Sequence, residues 1–248
     1  MTAFSYQLYS SREFPPLEDT LAMLRGLGYE QVEGYGGVYG DPAALRAALD
    51  RNGLTMPSGH FGLDALENEP GKVIEIARTA GMNAVFCPHI GPDLRPDTAA
   101  GWREFGRRLA KAGEPIMKAG FAYGWHNHDF ELRPLADGSV PLAHILDAAP
   151  ELAWEADIAW VVRGGADPLD WIERYGDRLK AVHVKDIATA GEKKDEDGWD
   201  DVGHGTMPWP TIWAAIKKTP ADIFVMEHDK PNDHERFARR SIEAAREF

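Results

Sequence analysis

Residues 153–186 read AWEADIAWVVRGGADPLDWIERYGDRLKAVHVKD, and this stretch decides the fold. One short apolar run, Ala153–Asp157, and a second, Lys180–Val184, flank a longer segment that contains a Gly-Gly pair and an Asp-Pro helix start. Two strand-like runs joined by a helical connection of this length make a βαβ unit, whose strands lie parallel. Each run also ends beside polar side chains: Asp157 on the first, His183 and Lys185 on the second.

The same alternation extends in both directions. Further strands are expected at Phe4–Leu8, Gln31–Glu33, Thr55–His60, Ala84–Cys87, Ala122–His126 and Ile223–Glu227. Apolar residues three and four apart predict amphipathic helices at Leu17–Leu27, Pro42–Arg51, Pro70–Ala80, Thr98–Lys118 and His234–Arg246. Several open on Asp-Pro or Pro and close on Gly, as Asp41-Pro42 and Gly26/Gly28 do. Eight strands with intervening helices in 248 residues predict an α/β protein, a single (β/α)8 TIM barrel over residues 1–248. The charged, glycine-rich segment Ile187–Pro208 is too long for an ordinary barrel connection and reads as an active-site loop.

Composition narrows the function. Forty acidic against 27 basic residues give a formal charge of -13, a field that repels phosphate backbones and anionic lipid, so no nucleic acid is expected as a partner. No membrane is expected either, because no run of 18 apolar residues occurs. Cys87 is the only cysteine, which excludes an intrachain disulfide and thiolate metal clusters and suits a cytoplasmic location.

Almost every strand ends in a residue able to hold a metal or a sugar hydroxyl: Glu33, His60, His126 with His128, Asp157, His183 with Lys185, and Glu227, while His89 follows the fourth strand by two residues. In a (β/α)8 barrel the carboxyl ends of all strands converge on one face, so these residues are expected to form one site. Oxygen and nitrogen donors without thiolate suit Mn²⁺, Mg²⁺, Co²⁺, Fe²⁺ or Zn²⁺.

The segments WHNHDFEL, EADIAWVVRGGADP, AVHVKD, VGHGTMPWPTI and FVMEHDKP, taken in this order, resemble the sugar phosphate isomerase/epimerase superfamily, the xylose isomerase-like barrels. The resemblance covers the whole chain and is strongest from Ala122 onward. It implies one divalent metal ion held by Asp157, His183 and Glu227. The strand-end slot that resembles the family's first glutamate holds His126 here, so the fourth ligand is either His126 or Glu131 from the following turn. His204, in VGHG, stands where many relatives carry Glu.

By resemblance, the implied activity is that of an isomerase or epimerase working through an enediolate on a small sugar, keto-sugar or inositol-like ketone. A lyase that expels a β-substituent from the same intermediate, and a barrel that binds sugar without catalysis, are the alternatives. Glu131, His128 and Lys185 are the expected catalytic groups, and Glu33, His60, His89, Trp160, His204 and Trp209 the expected substrate contacts. The partner is then a small-molecule sugar or polyol, unphosphorylated because no phosphate-gripping loop stands out; a homodimer is left open.

Overall fold

A computed structural model describes residues 2–248. Eight parallel strands close into a barrel: β1 (Ser5–Gln7), β2 (Gln31–Gly34), β3 (Thr55–His60), β4 (Ala84–Cys87), β5 (Ala122–His126), β6 (Ala153–Asp157), β7 (Leu179–Val184), and a closing strand, Ile223–Met226, paired with both β7 and β1. Around them lie α1 (Leu17–Leu27), α2 (Pro42–Asn52), α3 (Leu63–Asn68), α4 (Pro70–Ala80), α5 (Ala99–Lys118), α6 (Pro141–Ala148), α7 (Ile158–Arg163), α8 (Pro168–Tyr175), α9 (Trp209–Ile216) and α10 (His234–Ala245). The expected strands and the five expected helices fall within one residue of these bounds. None of the described helices is long and apolar enough to cross a membrane.

Local chemistry sets the helix ends. Asp41, Thr98 and Asp233 each accept a backbone N–H three residues on, at the starts of α2, α5 and α10. Gly28 ends α1 in the left-handed region, φ 93°, where a side chain would be strained.

The barrel interior is layered. Ala84, Phe86, Ala181, Ile223 and Val225 form a small apolar cluster of their own. Toward the carboxyl ends the fill becomes polar: Gln7, Glu33, Ser58, His60, Glu155, Asp157 and His183 are all buried. Strand residues two apart share a face, so Ser58 and His60, and likewise Glu155 and Asp157, point to the same side. Gly124 lets β5 close on β6, because a Cβ there would stand 2.0 Å from the Ala153 carbonyl oxygen.

The long segment after β7 is an ordered arm. Asp186–Ile187 pairs antiparallel with Trp199–Asp200, and the turn between them passes through Lys194–Glu196. Arg236 of α10 donates to Glu196 and Asp201, clamping the arm to the barrel wall. Burial opposes the charge on Glu196, but Arg236, the Asn232 N–H and Lys193 hold its carboxyl down at about 2.

Candidate active site

The strand-end side chains surround a cavity of about 470 Å³ at the carboxyl face, lined by Tyr9, Tyr35, His60, His89, His126, His128, Glu227 and Asp229. Beneath it, His126, Asp157, His183 and Glu227 each offer a buried ligand atom, and these atoms lie within 4.8 Å of one another. Barrel closure brings this about: β7 sits between β6 and the closing strand, with Asp157 opposite His183 in the register.

The donor set fits a divalent cation. His183 Nδ1 is 2.9 Å from Glu227 Oε2, and Asp157 Oδ1 is fixed by the Trp160 N–H. Lys185, fully buried, places Nζ 3.4 Å from Asp157 Oδ2, 3.2 Å from Glu227 Oε2 and 2.6 Å from Asp229 Oδ2. Three carboxylates around one ammonium leave an excess of two negative charges, which a divalent cation would neutralise in place of the proton on His183. Although burial opposes the charge on that ring, Glu227, Glu155 and Glu33 hold it well above its ordinary range. Burial pushes the Asp157 carboxyl up to about 6 despite Lys185. His126 is driven down to about 3 by burial and by His183 beside it, so its ring is neutral and able to ligate.

A second tier of carboxylates stands behind the imidazoles. Glu33 accepts hydrogen bonds from Gln7 Nε2 at 2.8 Å, from the Ser58 hydroxyl and from His183 Nε2 at 2.7 Å. Glu155 accepts from His60 Nε2 at 2.6 Å and from His126 Nδ1 at 3.1 Å. Burial and the neighbouring charge of Glu155 raise the Glu33 carboxyl. Glu155, although burial opposes its charge, is held well below its ordinary range by His60 and His183.

The expected site residues do not all reach one place. His60, His89, His126, His128 and Glu227 reach the cavity, Asp157 and His183 lie beneath it, and Trp160 packs 5.3 Å from the His128 ring. Glu33 lies deeper, bonded to His183 rather than lining the cavity. Between His126 and Glu131 as the fourth member of the group, the geometry selects His126: Glu131 spends Oε1 on Trp125 Nε1 and Oε2 on the His128 N–H. Burial pushes that carboxyl up to about 8. It is a buried anchor for the turn, not a group facing the cavity.

Trp209 and His204 are corrections. Trp209 is buried against Phe248, with ring centroids 6.0 Å apart, and takes no part in the cavity wall. His204 is exposed on its turn and does not line the cavity. That turn is organised by Asp186, which accepts the N–H groups of Gly203 and Met207; a Cβ on Gly205 would fall 2.3 Å from Asp186 Oδ1. The glycine-flanked motif therefore reflects this close approach and not the chemistry of its histidine.

Glu155, Asp229 and Tyr9 went unnoticed in the sequence. Glu155 was legible, since it stands two residues before Asp157 on one strand and so on the same face. Trp199 does not line the cavity: the arm folds it under Arg163 and sets its ring centroid 4.3 Å from Lys185 Nζ, a contact between distant segments that spacing does not announce.

Residues 21–248 match the family described as the xylose isomerase-like TIM barrel. The chain belongs to that family. Among relatives of this xylose isomerase-like barrel is an inosose dehydratase of Lacticaseibacillus casei, 22% identical over 224 residues, covering 75% of this chain and 72% of that protein. A solved sugar phosphate isomerase/epimerase from Parabacteroides distasonis superposes with a TM-score of 0.82 at 21% identity, covering 98% of this chain and 94% of the other. The IolI protein, solved with a zinc atom bound, superposes with a TM-score of 0.76 at 13% identity, covering 99% of this chain and 96% of that one.

Proposed function

We propose that this barrel is a metal-dependent lyase that removes water from a small unphosphorylated keto-polyol of the inosose type. The observation that carries the proposal is the buried group His126, Asp157, His183 and Glu227 directly beneath a cavity walled by imidazoles and tyrosines. A divalent cation held by these four side chains would supply Lewis-acid polarisation of adjacent carbonyl and hydroxyl oxygens.

The remaining work falls to the protein's own groups. His128 lines the cavity, and among the described residues its ring has no hydrogen-bond partner; Nδ1 is enclosed, which leaves Nε2 as the nitrogen toward the cavity. Burial, with His126 beside it, lowers its basicity well below the ordinary range, which keeps the ring neutral; as a weak base it takes at Nε2 only a proton whose carbon is acidified by the adjacent carbonyl. The same ring then returns that proton to a departing β-hydroxyl, and one water is lost. Lys185 holds Asp157, Glu227 and Asp229 in place, while Tyr9 and Tyr35 meet edge to face at the mouth, 5.3 Å between centroids, and can cover the C–H face of a polyol ring. The similarity to an inosose dehydratase supports this substrate class and the loss of water.

An isomerase or epimerase of the same keto-polyol is the second reading. It is favoured by the carboxylates Glu227 and Asp229, which share the cavity with His128 and give a second group able to handle a proton. NMR of the Mn²⁺- or Zn²⁺-supplemented protein with inosose and with open-chain ketoses in D₂O separates the two. Loss of water with an enone-type product supports the lyase. Solvent deuterium at the α-carbon with the carbon skeleton intact supports the isomerase, and no change in any substrate sinks both.

A further inference from the structure

Among the described residues, a second group of possible ligands, His60, His126, Glu155 and His183, shares two imidazoles with the first. Glu155 is its carboxylate, set two residues before Asp157 on the same inward face of β6. His126 stands opposite Glu155 in the barrel register, with Nδ1 3.1 Å from Oε2.

We infer that Glu155 is the positioning residue for His126: it holds the Nδ1 proton, fixes the ring's tautomer and turns Nε2 toward the upper group. A carboxylate only accepts, so the imidazole must donate, and the lone pair is thereby left on the opposite nitrogen. His183 repeats the arrangement, with Nε2 on Glu33 at 2.7 Å and Nδ1 facing Glu227 at 2.9 Å. Ligating imidazoles characteristically hand their second N–H to a carboxylate in this way, which raises their basicity and locks their orientation. His60, whose Nε2 lies 2.6 Å from Glu155 and 3.2 Å from Glu33, bridges the two carboxylates.

The lower group does not suit a cation of its own. A second ion bound through His126 Nδ1 and His183 Nε2 would have to strip both rings to bridging imidazolates. Its one carboxylate, Glu155, already has Oε2 taken by His60 and His126. The lower tier holds protons, and through them it orients the upper one.

The inference rests on the metal reading above, and its test keeps the two apart. Dialysed wild type, Glu155→Gln, His126→Glu and the double variant are titrated with Zn²⁺ against a chromophoric chelator, with bound metal counted by elemental analysis and folding checked by circular dichroism. Wild type is expected to hold one ion per chain; Glu155→Gln keeps that stoichiometry with roughly 10–100-fold weaker binding. His126→Glu, which supplies a carboxylate directly, makes the Glu155→Gln change silent, so that the cycle shows coupling. Unchanged affinity in folded Glu155→Gln overturns the inference, as do two ions in wild type with one in the variant. Should Glu155→Gln fail to fold, equal losses on Glu155→Asp in the wild-type and His126→Glu backgrounds overturn it instead. A wild type that binds no divalent ion at all overturns the metal reading itself.

Discussion

Lys185 Nζ and Asp229 Oδ2 stand 2.6 Å apart at the edge of the cavity, with the lysine fully buried and its charge shared with Asp157 and Glu227. Replacing Lys185 with Met removes the only lysine or arginine among the described residues within 4 Å of these three carboxylates. Breaking a buried ion pair on one side costs on the order of 3–5 kcal/mol, so the metal-free protein is expected to lose stability by that amount. A divalent cation should recover more stability in Lys185→Met than in wild type, because it meets a larger excess of negative charge. Thermal unfolding with and without Mn²⁺ reads both effects; an equal or smaller metal shift in the variant contradicts the account.

Glu131 gives a pH dependence whose sign is opposite to that of a salt-bridged acid. Its carboxyl is raised from 4.5 to about 8, chiefly by burial, so between these values the folded chain binds more protons than the unfolded one. This contribution is therefore present at low pH and is lost as pH climbs from about 4.5 through 8. Urea unfolding from pH 5 to 9 should show the decline in wild type and a flatter profile in Glu131→Gln. Identical slopes would show that Glu131 is ionised throughout.

His128→Asn tests the proposed base. Loss of a positioned imidazole lowers turnover by roughly 10²–10⁴-fold. Metal content should be unaffected, since His128 is not one of the four grouped side chains. Turnover within tenfold of wild type assigns proton transfer to another group.

Trp209→Ala separates core from cavity. The ring is buried against Phe248, so its removal is expected to destabilise the fold by about 3–5 kcal/mol, a cost of the cavity left behind. Activity per folded molecule should match wild type, and a raised KM with unchanged stability would return Trp209 to the substrate wall.

The barrel itself was legible because strand and helix periodicities are local: each apolar run in 248 residues needs only its own neighbours to declare its type. The strand-end rule then carried much of the site, since Asp157, His183 and Glu227 must meet wherever eight parallel strands close. Trp209 misled because an aromatic ring beside a glycine-rich loop reads the same whether it turns to solvent, substrate or core. His204 misled for a related reason, as its turn is shaped by a close approach to Asp186 that no spacing announces.

What the sequence determined alone was therefore the order of elements, the face on which polar side chains collect and the kinds of donor atom available there. Only the tertiary structure decided that His126 and not Glu131 joins the group, because Glu131 finds Trp125 and the His128 N–H first. It also decided that Glu155 and Glu33 stand behind the imidazoles, and that the arm after β7 delivers Trp199 to Lys185. Hydrogen-bond partners are chosen by three-dimensional proximity and by which lone pairs are already spent, and neither quantity is written in the spacing of residues along a chain.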